Sequence, residues 1–153
     1  MRSRVHRLTR SQHLDRPIEE VFAFFSRAEN LELITPEWLR FEVRGSEPAE
    51  VGEGTLISYR LRLHGLPIRW SSRIEEWRAG HGFVDRQVRG PYRLWHHLHT
   101  FRAVGTGTLI GDDVHYGLPL GRLGEQAHRL FVKRDLERIF DHRQAAVRAL
   151  LES

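Results

Sequence analysis

The chain has 153 residues and a mass of 18.0 kDa, the size of one domain with a single sizeable core, taken here as residues 1–153. The absence of cysteine excludes disulfides, thiolate metal centres and thiol nucleophiles, and 40% hydrophobic with 29% charged residues is an ordinary globular balance. A net charge of +4 invites a nucleic-acid partner, yet Lys133 is the only lysine and the arginines alternate with acids, as in Arg73-Ile74-Glu75-Glu76 and Glu137-Arg138. That dispersal predicts a solvated mixed-charge surface and no nucleic-acid partner.

The first fourteen residues, MRSRVHRLTRSQHL, lack the apolar run of a signal peptide, and no stretch approaches a membrane span. The expectation is a cytoplasmic protein with no membrane insertion. Residues 4–14 alternate as a strand, with Leu8, Arg10, Gln12 and Leu14 on one face. Asp15-Arg16-Pro17 then predicts a helix start, with Asp15 as cap and Glu19 and Glu20 at its positive end. A second short helix over Ala28–Ile34 should stop at Thr35-Pro36.

From Trp38 the period becomes two, which predicts strands near 38–45, 53–64, 67–78, 81–89, 92–104 and 107–118. Short turn sequences separate them, including His64-Gly65, Ala79-Gly80, Gly90-Pro91 and Gly105-Thr106-Gly107, so an antiparallel meander is expected. After Pro119, apolar residues recur at helical spacing, from Leu123 through Leu136 and Phe140 to Leu150. They predict a helix of some thirty residues starting near Gly121–Gly124, whose apolar side must lie on the sheet. The fold class is α+β: a seven-stranded curved antiparallel sheet around a long C-terminal helix, with two short helices after the first strand. One helix does not easily fill such a sheet, which implies a cavity.

Strand parity names the lining. In GPYRLWHHLHTF (90–101), Trp95, His97, His99 and Phe101 share one face, opposite Tyr92, Leu94, His96 and Leu98. The same alternation turns Tyr59, Trp70, Asp85, Gln87, Asp112 and Tyr116 inward, and His128 lies one helical turn before Val132, on a side able to face the same space. Buried carboxylates and imidazoles need each other, water or a ligand, so a partly polar pocket explains them better than a packed core. A two-residue turn at Gly105-Thr106 pairs His99 with Asp112, His97 with Val114 and Trp95 with Tyr116; a four-residue loop pairs His97 with Asp112 instead. The carboxylate meets an imidazole either way.

The order of elements, with PIEEVFAFFSRAENLELITP (17–36), GTLISYRLRLHGLPIRWSSRIEEW (54–77), GFVDRQVRGPYRLWHHLHTF (82–101) and DVHYGLPLGRLGEQAHRLFVKRDLERIFDHR (113–143), resembles the START-like, or SRPBCC, superfamily with its helix-grip fold. The likeness spans essentially the whole chain. It is nearest to bacterial ligand-binding and cyclase/dehydrase-like members, and it implies an internal cavity for a lipid, polyketide or similar molecule and no obligatory metal.

The chemistry predicted is binding of a small, largely apolar or aromatic ligand with a polar end. The expected ligand contacts are Tyr59, Trp70, Asp85, Gln87, Trp95, His97, His99, Asp112, Tyr116 and His128. The alternative is a cofactor-independent cyclase, dehydratase or isomerase in which His97 or His99 works with Asp112 as a proton-transfer pair. His97 and His99 lack a close third ligand in sequence, so no metal is expected. No phosphate loop, dinucleotide fingerprint or serine-nucleophile motif is present, so no cofactor is expected either. Nothing in the sequence indicates a homo-oligomer.

Overall fold

Alternating side chains need two unlike surfaces, and in the computed structural model, which describes residues 4–48 and 50–153, one sheet provides both. Its strands are β1 (His6–Leu14), β2 (Glu42–Glu47), β3 (Leu56–Leu63), β4 (Leu66–Arg78), β5 (Gly82–Arg89), β6 (Leu94–Val104) and β7 (Gly107–Gly117). They pair antiparallel in the order β1-β7-β6-β5-β4-β3-β2, so the meander from β2 to β7 is completed by β1 at the far edge. Helix α1 (Ile18–Phe25) and two 3-10 turns, Ala28–Ile34 and Glu37–Leu39, carry the chain from one sheet edge to the other. After β7, α2 (Gly121–Ala127), one π-helical turn (His128–Val132) and α3 (Lys133–Leu151) run on without a break.

On β6, Trp95, His97, His99 and Phe101 are buried; on β7, Thr108, Ile110, Asp112, Val114 and Tyr116 are buried. Against this face α3 lays Leu136, Phe140 and Val147, each worth roughly 1.5–3 kcal/mol when removed from water. Phe22 and Phe25 of α1 close one end by packing on Phe101. The fold is the helix-grip arrangement expected from the order of elements.

Several boundaries differ from the sequence pattern. Asp15 does not cap α1: Pro17 is the residue before the first turn, with no side-chain cap, and the Asp15 backbone N–H donates to Glu152 Oε1 at 2.8 Å. The entrance of α1 is thereby tied to the end of α3. The strand expected from 38 begins only at Glu42, because Glu37–Leu39 makes a 3-10 turn ended by Arg40 in a left-handed conformation (φ 47°). The strand expected from 53 starts at Leu56, after Gly54 turns the chain at φ 82°. In β4, Glu76 takes φ 50° at a break in the β5 pairing. Beyond it Trp77 packs on Phe22 and Phe83, against strict alternation. The long terminal helix is interrupted by its π turn at His128–Val132, a feature invisible to a period of 3.6.

Candidate functional site

Between the inner face of β3–β6 and α3 lies a cavity of about 160 Å³. A dry cavity of roughly 150 Å³ accepts benzene, so this one has room for about one aromatic ring. Most of its wall is apolar, with Tyr59, Trp70, Tyr92, Trp95 and Phe140 supplying rings and Leu61, Ile68, Leu136 and Ile139 supplying aliphatic surface. Its acidic and basic side chains are Asp85 and His97 from the sheet and Asp135 and Arg143 from α3, and Thr35 also lines it. Tyr59 and Trp70 are held by one hydroxyl: Ser72 Oγ accepts from Trp70 Nε1 at 3.0 Å and bonds Tyr59 OH at 2.9 Å. Burial first, and then the Asp85 charge, push the Tyr59 phenol well above its ordinary value, so it stays neutral.

The β6–β7 hairpin turns on two residues, Gly105 at φ 60° and Thr106, and its register pairs His99 with Asp112, His97 with Val114 and Trp95 with Tyr116. The hydrogen bond nonetheless runs diagonally. His97 Nε2 donates to Asp112 Oδ1 at 2.7 Å, while His99 Nδ1 stands 3.7 Å from the same oxygen. The two imidazoles stack with centroids 3.7 Å apart, and Phe83 stacks on the other face of His99 at 4.4 Å. Burial alone would raise the Asp112 carboxyl, but the His97 hydrogen bond and the charges of Arg143, His97 and Arg10 outweigh it and hold it below the ordinary range. Burial, followed by the charges of His97 and Arg143, keeps His99 well below the usual histidine value, so it is neutral at pH 7. Asp85 moves the other way: burial raises it, partly offset by His97, the Ser72 hydroxyl and Arg143.

Asp85, His97 and His99 each present a ligating atom within 4.8 Å of the others. The third ligand missing from the sequence pattern thus comes from β5, where Asp85 pairs with His97 across the strands. The imidazoles, however, lie face to face at an interplanar angle of 24°. Their lone pairs lie in nearly parallel planes, so ligating a single ion with both rings requires one ring to turn. Asp85 Oδ1 and His99 Nε2 are buried with no hydrogen-bond partner among the described residues.

Of the residues picked from the sequence, Tyr59, Trp70, Asp85, Trp95 and His97 line the cavity. His99 and Asp112 stand behind its wall. Gln87 has a different place: its side chain donates to Tyr92 O at 2.7 Å and accepts from Tyr92 N at 3.1 Å, clamping the β5–β6 loop. Tyr92, assigned outward by parity, lines the cavity because β6 begins only at Leu94. Tyr116 and His128 form a separate buried cluster, bonded to each other at 2.8 Å, with His6 stacked on His128 at 3.6 Å and held by Glu125 at 3.0 Å. Helical spacing gave no way to tell that His128 turns to β1 and β7 instead of the cavity. Asp135 and Arg143 were missed too; each sits on the apolar stripe of α3, the only signal available. Asp135 also accepts from His64 Nε2 at 2.7 Å, joining the β3–β4 turn to α3.

Burial, then the His6 charge, lowers the His128 pKa, with Glu125 opposing and Lys133 and Arg4 assisting. A histidine with a depressed folded pKa binds its proton more readily when unfolded. Its contribution is therefore complete above the unfolded value of about 6.5 and declines as pH falls below it. His99 acts with the same sign. The urea midpoint should drop as pH is lowered from about 6.5, and His99→Gln should flatten that slope; a midpoint level down to about pH 5 would contradict the assignment.

The profile of a family described as polyketide cyclase / dehydrase and lipid transport matches residues 5–150. Among solved structures, the Zhui aromatase/cyclase from Streptomyces sp. R1128 has a TM-score of 0.77 at 15% identity, covering 97% of this chain and 94% of its own. A protein from Thermus thermophilus has a TM-score of 0.72 at 19% identity, covering 95% and 99%. A START superfamily protein from Mycobacterium smegmatis has a TM-score of 0.70 at 14% identity, covering 96% and 97%. At these identities the structures share the fold and no more. No curated protein sequence matches the chain. With its profile match over nearly all its length and its helix-grip sheet, the chain belongs to the polyketide cyclase / dehydrase and lipid transport family of the START-like, or SRPBCC, superfamily.

Proposed function

We propose that this protein, as a single domain over residues 1–153, binds a small, largely aromatic ligand with one polar end in the cavity between sheet and α3. The observation that carries the proposal is the cavity's two-sided lining: aliphatic side chains and aromatic rings over most of the wall, with Trp70 stacked on Tyr59 and edge-on to Tyr92 and Trp95, and a few charged or titratable groups, Asp85, His97 and Arg143 among them. An apolar pocket with a few convergent polar groups is the usual form of a small-molecule site. Native mass spectrometry of protein purified without denaturation should show a bound mass that organic extraction releases. If the protein is ligand-free, and binds neither monocyclic nor bicyclic aromatics, the proposal fails.

The 2.7 Å bond between His97 and Asp112 supports a second reading, proton transfer in a cyclisation, dehydration or isomerisation. In it His97 meets the ligand at the cavity wall and Asp112 orients the ring from behind. Cytoplasmic location and the lack of a nucleic-acid partner accompany both readings. The latter is supported by arginines paired with neighbouring acids, as in Arg7–Asp113, Arg16–Glu20 and Arg86–Glu75. No helix among the described residues is long and apolar enough to cross a membrane.

A further inference from the structure

The outer face of the sheet carries a groove of its own, and the strand register builds it row by row. Across β2–β5 one row reads Arg44, Ser58, Ser71, Arg89, and the row beside it reads Glu42, Arg60, Arg69. Both ends of the serine row are bulges. Arg44 is the extra residue between Val43 and Gly45, and Val88 is the extra residue that brings Arg89 opposite Ser71. Two short serines among arginines leave the middle of the face low, so Arg44, Arg60, Arg69 and Arg89 wall an open groove of about 270 Å³ over Ser58 and Ser71. Tyr59 and Trp70 turn their rings to the cavity on the other face, so this groove stands apart from the aromatic site.

The charges of the groove are out of balance. Arg60 and Arg69 stand directly opposite each other, a pairing that like charge disfavours. Beyond the serine row Arg73 and Arg86 are opposed too, but there Glu75 holds Arg86 at 2.9 Å. Beside the groove Glu42 bonds Arg44 at 2.7 Å and lies 3.7 Å from Arg60. Among the described residues neither Arg69 nor Arg89 has an acidic partner. The Ser58 and Ser71 hydroxyls are 3.2 Å apart; one bond between them uses one proton and leaves the other free to donate outward.

We infer that this groove binds a terminal phosphoryl group, carried by a phosphomonoester or a diphosphate. Guanidiniums only donate and the serine pair has a proton to give, so the ligand that fits is an acceptor on every side. A phosphoryl group offers three acceptor oxygens and a charge of about −1.5 to −2, and its oxygens match guanidinium forks arriving from more than one wall. A carboxylate presents two oxygens in one plane with a single charge, which leaves the guanidiniums of the far wall unmatched.

Calorimetry with pyrophosphate, in about 0.1 M salt where charges more than roughly 10 Å away are screened, tests the free form of the ligand. Flotation with vesicles containing phosphatidic acid tests the same group on a lipid. Binding of either probe supports the site and names its source. Arg69→Gln and Arg89→Gln should each weaken that binding about tenfold or more. Arg69→Lys keeps the charge without the fork and should weaken it as well. Arg134→Gln removes an equal charge from the exposed side of α3 and should change little. All three arginines are exposed, so the variants keep the fold. Equal binding to phosphatidylglycerol vesicles, whose phosphodiester carries one charge, or an equal loss in Arg134→Gln, would show a diffuse positive field and overturn the site. Failure of both pyrophosphate and phosphatidic acid to bind would overturn it too.

Discussion

Asp112→Ala is expected to destabilise the protein by about 1–3 kcal/mol, because it leaves the donor on a buried imidazole facing a void. His97 is 2% exposed and Asp112 8%, so water replaces the lost carboxylate poorly. Asp112→Asn keeps an acceptor at 2.7 Å from His97 Nε2 and should lose much less. The two variants also separate in acid. The Asp112 carboxyl is held below its ordinary value in the fold, so its contribution is complete above the unfolded value of about 3.9 and is lost as pH falls through the folded one. Wild type should therefore lose more stability below about pH 4 than Asp112→Asn, in which Asp113 and Glu152, also held low, still contribute an acid loss. Urea unfolding of the three proteins between pH 7 and pH 2.5 measures both effects. Equal midpoints for wild type and Asp112→Ala would show that the pair contributes nothing.

Trp95→Ala should cost about 3 kcal/mol, the low end of the range for removing a large aromatic, because part of its surface already faces open cavity. What remains of its environment is dense: Trp70 stands edge-on at 5.2 Å, Tyr92 at 4.9 Å and Tyr116 at 6.2 Å. The same substitution merges the indole's volume with the cavity. Binding should then shift toward two-ring compounds, so that 2-naphthol gains on phenol relative to wild type. Calorimetry with both compounds checks this, and an unchanged ratio would mean that Trp95 does not limit the ligand's size.

The alternation of Trp95, His97, His99 and Phe101, and of Ile110, Asp112, Val114 and Tyr116, was legible because a strand that buries one face has a period of two and nothing else to satisfy. Gly105-Thr106 narrowed the hairpin to two registers for the same local reason, and the structure takes the two-residue turn. These positions, the element order and the cavity's approximate walls belong to the sequence. Boundaries were less legible where a residue left the extended region, as at Arg40 and Glu76, since a left-handed residue other than glycine has no clear local signature.

The diagonal choice of partner was decided only by tertiary structure. Pairing places Asp112 opposite His99, yet the stacking of Phe83, His99 and His97, and Arg143 arriving from α3, leave the short bond to His97. Helical period likewise does not say where α3 docks, so Asp135 and Arg143 entered the cavity unannounced while His128 turned away to Tyr116 and His6. The physical reason is one of range. Backbone geometry and side-chain parity act within a few residues and are written in order along the chain, whereas rotamers, burial and the pairing of charges are settled by neighbours from distant segments, which exist only once the sheet has closed on its helix.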